Sequence, residues 1–247
     1  MLSYREHQQE YGQNYAYLIL STLATTLGTV GALAYSYRKQ RKLPLFLLQY
    51  MKSLDLQQFL NGVVLSTAQI LFCVLVLIFG LVSFQFDSIK NIPWAIILFA
   101  LVSVSEEVMF RGYLLPKLLE KFSLWPSIII SSLLFACSHL ANPHIDVIGF
   151  TNIFLFGVWA AILYVHHQNL SSALGAHFSW NLLQTFFGFG VSGHAFNGVF
   201  RVTQLSSATY LTGGVFGLEG SVLALVALLV LIFYFSKKLK PHALGLR

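Results

Sequence analysis

The sequence predicts an all-α fold: a polytopic transmembrane bundle of about seven spans, with room for an eighth, the N-terminus outside and the C-terminus inside. Three observations carry this. The 247 residues are 56% hydrophobic and only 10% charged, with a mean hydropathy of +0.71, where soluble domains hold roughly 25% charge. Apolar runs of about 20 residues follow one another, each long enough to cross a hydrocarbon core of about 30 Å. Short basic clusters flank these runs, and the rule that such clusters stay cytoplasmic places them on one side.

Residues 1–14 form a polar tail, and the first span is expected from about Tyr15 to Tyr37. Its length and the basic cluster after it (Arg38, Lys39, Arg41, Lys42) argue for a true span over a cleaved signal peptide. The second span runs from about Phe59 to Phe84, and the third starts at Pro93 and ends in an amphipathic stretch with Lys117 and Lys121. The fourth apolar run, Ser127 to about Ala141, is short, and Asn142-Pro143 stops it. A fifth span covers about Gly149 to Val165, and the sixth, Ser171 to Phe187, is rich in small residues that permit close helix approach. After a glycine-rich outer loop containing Arg201, the last span (about Gly220 to Phe235) ends at Lys237, Lys238 and Lys240. The bundle is thus one domain, residues 15–240, with its functional core at about 93–187 and a cytoplasmic tail at 241–247.

The formal charge of +6 sits in clusters beside apolar runs, where it signals topology, so nucleic acid is discarded as a partner. The lipid bilayer is one. Cys73 and Cys137 lie in apolar segments of different spans and read as packing residues. No internal repeat supports a transporter built from inverted halves.

The chemistry is expected around Ser105-Glu106-Glu107-Val108-Met109-Phe110-Arg111, in the third span. Charged groups near the bilayer centre cost on the order of 3 kcal/mol on insertion scales, so they usually face a bundle interior and mark function. Glu107 and Arg111 are four apart, in the favourable order for an ion pair on one helix face. Glu106 points about 100° away, is left without a local cation, and is a candidate general base. A single structural ion cluster of all three charges is the alternative.

Two other spans carry matching polar punctuation, Phe135 with His139 and His177 with Asn181, each pair four apart. At 1.5 Å per residue these groups reach compatible depths in the inner half of the bilayer. Two histidines, a spare carboxylate and an amide can activate a water and hold an oxyanion. Glu106, His139 and His177 could instead bind a divalent metal such as zinc, although the helical motif of two histidines four apart with an adjacent glutamate is absent. His144, Asp146, His166, His167 and His194 are expected in solvated turns. Glu219 is explained by its place at a helix N-terminus.

Glu106-Glu107-xxx-Arg111, Phe135-xxx-His139 and His177-xxx-Asn181, in this order on separate apolar helices, resemble the three motifs of the CPBP intramembrane proteases. That family includes Rce1-type CAAX prenyl endopeptidases and the bacterial Abi proteins, among them bacteriocin self-immunity proteins. The resemblance covers about residues 93–187. It implies endoproteolysis of a peptide or membrane-protein substrate, with Glu106 activating water, His139 assisting, His177 and Asn181 stabilising the oxyanion, and Glu107, Arg111 and Phe135 supporting. It implies either a metalloprotease or a metal-free, glutamate-dependent enzyme. The site is expected to open to the cytoplasm of a bacterial cell, with a role in peptide maturation or bacteriocin self-immunity. A non-catalytic immunity or scaffold protein is the alternative.

Overall fold

The computed structural model describes residues 15–39 and 54–239. The expected polar tail at 1–14, Arg41 and Lys42 of the basic loop, Lys240 and the tail at 241–247 lie outside the described residues. Helices dominate: α1 (Tyr15–Lys39), α2 (Leu56–Leu77), α3 (Ile92–Glu107), a π-helix (Val108–Leu114) running into α4 (Leu115–Leu119), α5 (Leu124–Ser138), α6 (Val147–His167), α7 (Ser171–Phe186), the short α8 (Thr209–Thr212) and α9 (Val222–Ser236). Four stretches are long and apolar enough to cross a membrane: Tyr15–Tyr35, Leu56–Leu77, Ile92–Leu119 and Val147–His167. The chain is a multi-pass integral membrane protein. Leu124–Ser138 and Val222–Ser236 are apolar but shorter.

The all-α expectation needs one correction. Val82–Phe86 (β1) and Phe200–Gln204 (β2) form an antiparallel ribbon, with Val82 opposite Gln204 and Phe86 opposite Phe200. The second span was expected to continue to Phe84, yet α2 stops at Leu77 and Gly80 turns the chain at φ +91°. Val82-Ser83-Phe84-Gln85-Phe86 alternates apolar and polar residues, the period of a strand. Phe84 packs edge-on to Phe189 and Phe200. These contacts tie the ribbon to the loop that follows α7.

Successive long helices reverse direction. The backbone N–H of Asp55 donates to Ser171 Oγ at 2.8 Å, joining the starts of α2 and α7. His166 stacks edge-on to Phe235 at 5.6 Å, joining the ends of α6 and α9 at that same end of the bundle. The ribbon, the loop after α7 and the starts of α3, α6 and α9 gather at the other end.

α6 is the central rod, with Trp159, Ile162 and Leu163 fully buried. α2 and α7 make the closest pairing. A Cβ on Gly62 would stand 2.0 Å from the Ser172 carbonyl oxygen, and one on Gly175 would stand 2.1 Å from that of Phe59. Lipid tails are as apolar as leucine, so helices in a membrane gain by close backbone approach, which small residues allow. Gly175→Ala is therefore expected to push α2 off α7 and lower stability by about 1–3 kcal/mol. Thermal unfolding in detergent reads this, and an unchanged midpoint would remove the glycine contact from the account.

Candidate active site

The π-helix begins immediately after Glu107, and π-turns inside α-helices concentrate at functional sites. It carries Arg111, which is fully buried together with Glu107. Arg111 Nη1 donates to Glu107 Oε1 at 2.9 Å, and Nη2 donates to the Gly157 carbonyl at 3.0 Å. The guanidinium lies 4.5 Å over the Phe135 ring. The ion pair expected from the four-residue spacing is present, and it holds α6 and α5 as well as its own helix.

Glu107 also holds a catalytic candidate. His177 Nδ1 lies 2.8 Å from Glu107 Oε1. A carboxylate paired with Arg111 only accepts, so this nitrogen carries the proton and donates. His139 Nδ1 lies 2.8 Å from the Phe135 carbonyl, which also only accepts, so it too is a donor. Each ring therefore turns Nε2 to the same third group. His139 Nε2 is 3.7 Å and His177 Nε2 is 3.8 Å from Glu106 Oε2.

Glu106 Oε2 is buried and has no hydrogen-bond partner among the described residues. The side chain as a whole is 28% exposed, so its accessible surface lies elsewhere on the carboxylate and its stem. With both Nδ1 atoms committed as donors, a hydrogen bond from Glu106 to either ring needs a proton on Nε2 or on the carboxyl.

Asn181, one turn beyond His177, is 5% exposed and makes no side-chain hydrogen bond to the described residues. Its amide faces a cavity of about 390 Å³ that Glu106, His139 and His177 also line. Phe135 wedges between the groups, with its ring 4.7 Å from that of His139 and 6.3 Å from that of His177. Phe156 on α6 stacks edge-on to His177 at 5.0 Å. No motif in the sequence marks Phe156; only the crossing of α6 and α7 brings it here.

The structure thus gathers all seven residues singled out from the sequence. It differs on where the cavity leads. Beyond the polar cluster, its walls are Leu98 near the start of α3, Asn142 after α5, Ser192 and Phe196 after α7, and Ala224 at the start of α9. These lie at the end of the bundle opposite the basic clusters after α4 and α9. The cavity therefore extends from the polar cluster toward the end of the bundle where α3, α6 and α9 start. α5 ends at Ser138, and Ser138, His139 and Asn142 at its end and in the following turn line the cavity.

Three smaller readings also change. Glu219 is 8% exposed, lines the cavity and accepts from Trp180, Gln184 and Ser192, so more than a helix dipole holds it. His194 is half-buried and lines the same cavity, where a solvated loop residue was expected. Cys137 is exposed on the outer face of α5, while Cys73 is buried as expected. An acid near a span with no local cation was the available signal for Glu219.

Residues 88–183 match the family model described as Type II CAAX prenyl endopeptidase Rce1-like. Over this segment the chain is similar to the Rce1-like family. The segment is somewhat under half of the chain, and it contains Glu106, Glu107, Arg111, Phe135, His139, His177 and Asn181. Glu219 and the loop after α7 lie beyond it. No curated protein and no solved structure matches the chain. The Rce1-like family is a protease family of the CAAX type, so peptidase activity on a peptide or protein substrate is the kind of function this similarity supports. Among the described residues no group of three or more His, Cys, Asp and Glu side chains is placed to hold a metal ion.

Proposed function

We propose that this Rce1-like chain is an intramembrane endopeptidase in which Glu106 activates a water molecule. One observation carries the reading: a carboxylate oxygen stripped of hydrogen-bond partners stands between two imidazole Nε2 atoms whose other nitrogens are tied down. A water at the exposed part of the Glu106 carboxylate gives up a proton to it as its oxygen attacks the peptide carbonyl. His139 Nε2 accepts the hydrogen bond from the remaining O–H and aims the attack. His177, protonated at Nε2 and held by Glu107, donates with Asn181 Nδ2 to the oxyanion. The proton collected by Glu106 passes to the amide nitrogen as the C–N bond breaks, leaving a carboxylic acid and an amine, and transfer of the acid's proton to the amine gives the carboxylate and ammonium products.

We further read seven helices (α1, α2, α3 with its continuation to α4, α5, α6, α7 and α9) across a bacterial plasma membrane, N-terminus out and basic clusters in. With this topology the cavity faces the outer side. A peptide met there suits a role in maturation of an exported peptide or in bacteriocin self-immunity. Cysteines introduced at Asn197 and Lys121, in a Cys137→Ser background, test the orientation in intact cells. A membrane-impermeant maleimide is expected to label Asn197→Cys directly and Lys121→Cys only after permeabilisation. The reverse pattern would turn the cavity to the cytoplasm. The proteolytic reading itself is tested by Glu106→Gln in a cleavage assay with purified protein.

A further inference from the structure

The cavity holds a second carboxylate that the cleavage mechanism does not use. Glu219 Oε1 accepts from Trp180 Nε1 at 3.2 Å and Gln184 Nε2 at 3.3 Å. Its Oε2 accepts from the backbone N–H of Ser192 at 2.9 Å and from Ser192 Oγ at 2.7 Å. Three of these four partners can only donate: an indole N–H, an amide N–H2 whose oxygen is occupied by Leu218 N, and a backbone N–H. The arrangement fits an ionised, acceptor-only carboxylate. Among the described residues it forms no ion pair with Lys, Arg or His.

The neighbouring wall is also rich in acceptors. Asn152 is 2% exposed and lines the cavity. Its Nδ2 donates to the carbonyls of Glu219 and Ser221 at 2.6 and 2.9 Å, and its Oδ1 is buried with no partner among the described residues. Among the described residues no Lys or Arg lines the cavity. His194 is the one other titratable group facing this lobe from the loop, and burial, helped by the charge of His144, pushes its pKa below the usual histidine range. At neutral pH it supplies no counter-charge.

A strap holding the loop after α7 against α7 and α9 would explain the four hydrogen bonds. It does not explain the charge. A neutral side chain can tie a loop, whereas an ionised group near membrane depth is costly and is usually kept for function. Leu98, Phe99, Ile153 and Phe196 add apolar surface to the walls, which strengthens any electrostatic attraction inside.

We infer that Glu219 and Asn152 form a cation subsite for an ammonium or guanidinium of the peptide substrate, from a Lys or Arg side chain or a free amino terminus, with Asn152 Oδ1 as the open acceptor and Glu219, whose four acceptor positions are filled, supplying the negative charge. In calling the ligand a substrate this rests on the protease reading. Trp180 is adjacent to Asn181 on α7, so the subsite flanks the reacting centre on the neighbouring strip of that helix. It selects which peptide is cleaved, and Glu106 cleaves it.

The test uses full-length protein carrying Glu106→Gln, labelled with ¹⁵N-tryptophan in detergent, titrated with hexylammonium or with hexan-1-ol. The Trp180 indole resonance, assigned by Trp180→Phe, reports on Glu219 directly. Hexylammonium is expected to bind at least about tenfold more tightly than the alcohol, the factor given by 1.4 kcal/mol of preference. Glu219→Gln should bring the two together, and Glu219→Asp should restore the preference. Equal binding of both probes to the parent protein overturns the inference without any Glu219 variant. So does an undiminished preference in folded Glu219→Gln. A protein that prefers the ammonium yet cleaves no peptide with Glu106 intact defeats the protease reading and leaves the subsite standing.

Discussion

Glu106→Gln is expected to lower peptide cleavage by on the order of 10²- to 10⁴-fold, the span usual for removing a positioned general base, while leaving the protein folded. The substitution keeps the size of the side chain and removes only its ability to take a proton. Little structure depends on Glu106: it makes no hydrogen bond within the described residues, and its nearest polar neighbours, His139 Nε2 and His177 Nε2, stand 3.7 and 3.8 Å away. Both rings stay fixed from behind, by the Phe135 carbonyl and by Glu107. The discriminating result is a large loss of turnover with an unchanged thermal midpoint. A variant that cleaves normally would end the catalytic assignment. A variant that unfolds would make Glu106 a structural charge.

Glu107 and Arg111 should behave in the opposite way. Both are fully buried, and removing one partner strands the other charge at membrane depth. Arg111→Met or Glu107→Gln alone is expected to cost about 3–5 kcal/mol, as for other broken buried pairs. The double variant Glu107→Gln/Arg111→Met removes both charges and should recover most of that loss, because a buried pair contributes little beyond its own desolvation. Activity should not return with stability. In the double variant His177 faces a neutral amide, so the imidazolium that donates to the oxyanion loses its supporting charge. Thermal unfolding of the four proteins gives the coupling energy, and parallel cleavage assays separate it from catalysis. Additive destabilisation in the double variant would show that the two groups do not act as a pair.

Much of the site was legible because its chemistry is written at helical spacing. Glu107 with Arg111, Phe135 with His139 and His177 with Asn181 each sit one turn apart, and a polar residue in an apolar run has few destinations other than the bundle interior. The ion pair forms as the spacing implies. The division of labour between the adjacent acids also follows from the 100° step between neighbouring residues, which turns Glu107 to Arg111 and His177 and leaves Glu106 for the cavity.

Other features depend on contacts between distant segments. The ribbon of Val82–Phe86 with Phe200–Gln204 joins strands more than a hundred residues apart, and its first strand continues an apolar run that reads equally well as helix. Glu219 looks ordinary in sequence because its partners Trp180, Gln184 and Ser192 come from α7 and the following loop. Phe156 reaches His177 through a helix crossing that no local pattern encodes.

The sequence by itself determined that the chain is a membrane-embedded helical bundle and which residues carry its polar centre, since hydropathy and one-turn spacing are local properties. Only the tertiary structure decided that both imidazoles present Nε2 to a single glutamate oxygen, and that the cavity leads away from the basic clusters. The physical reason is that the cavity is walled by side chains from α1, α3, α5, α6, α7, α9 and the loop after α7, segments distant in sequence that only packing brings together.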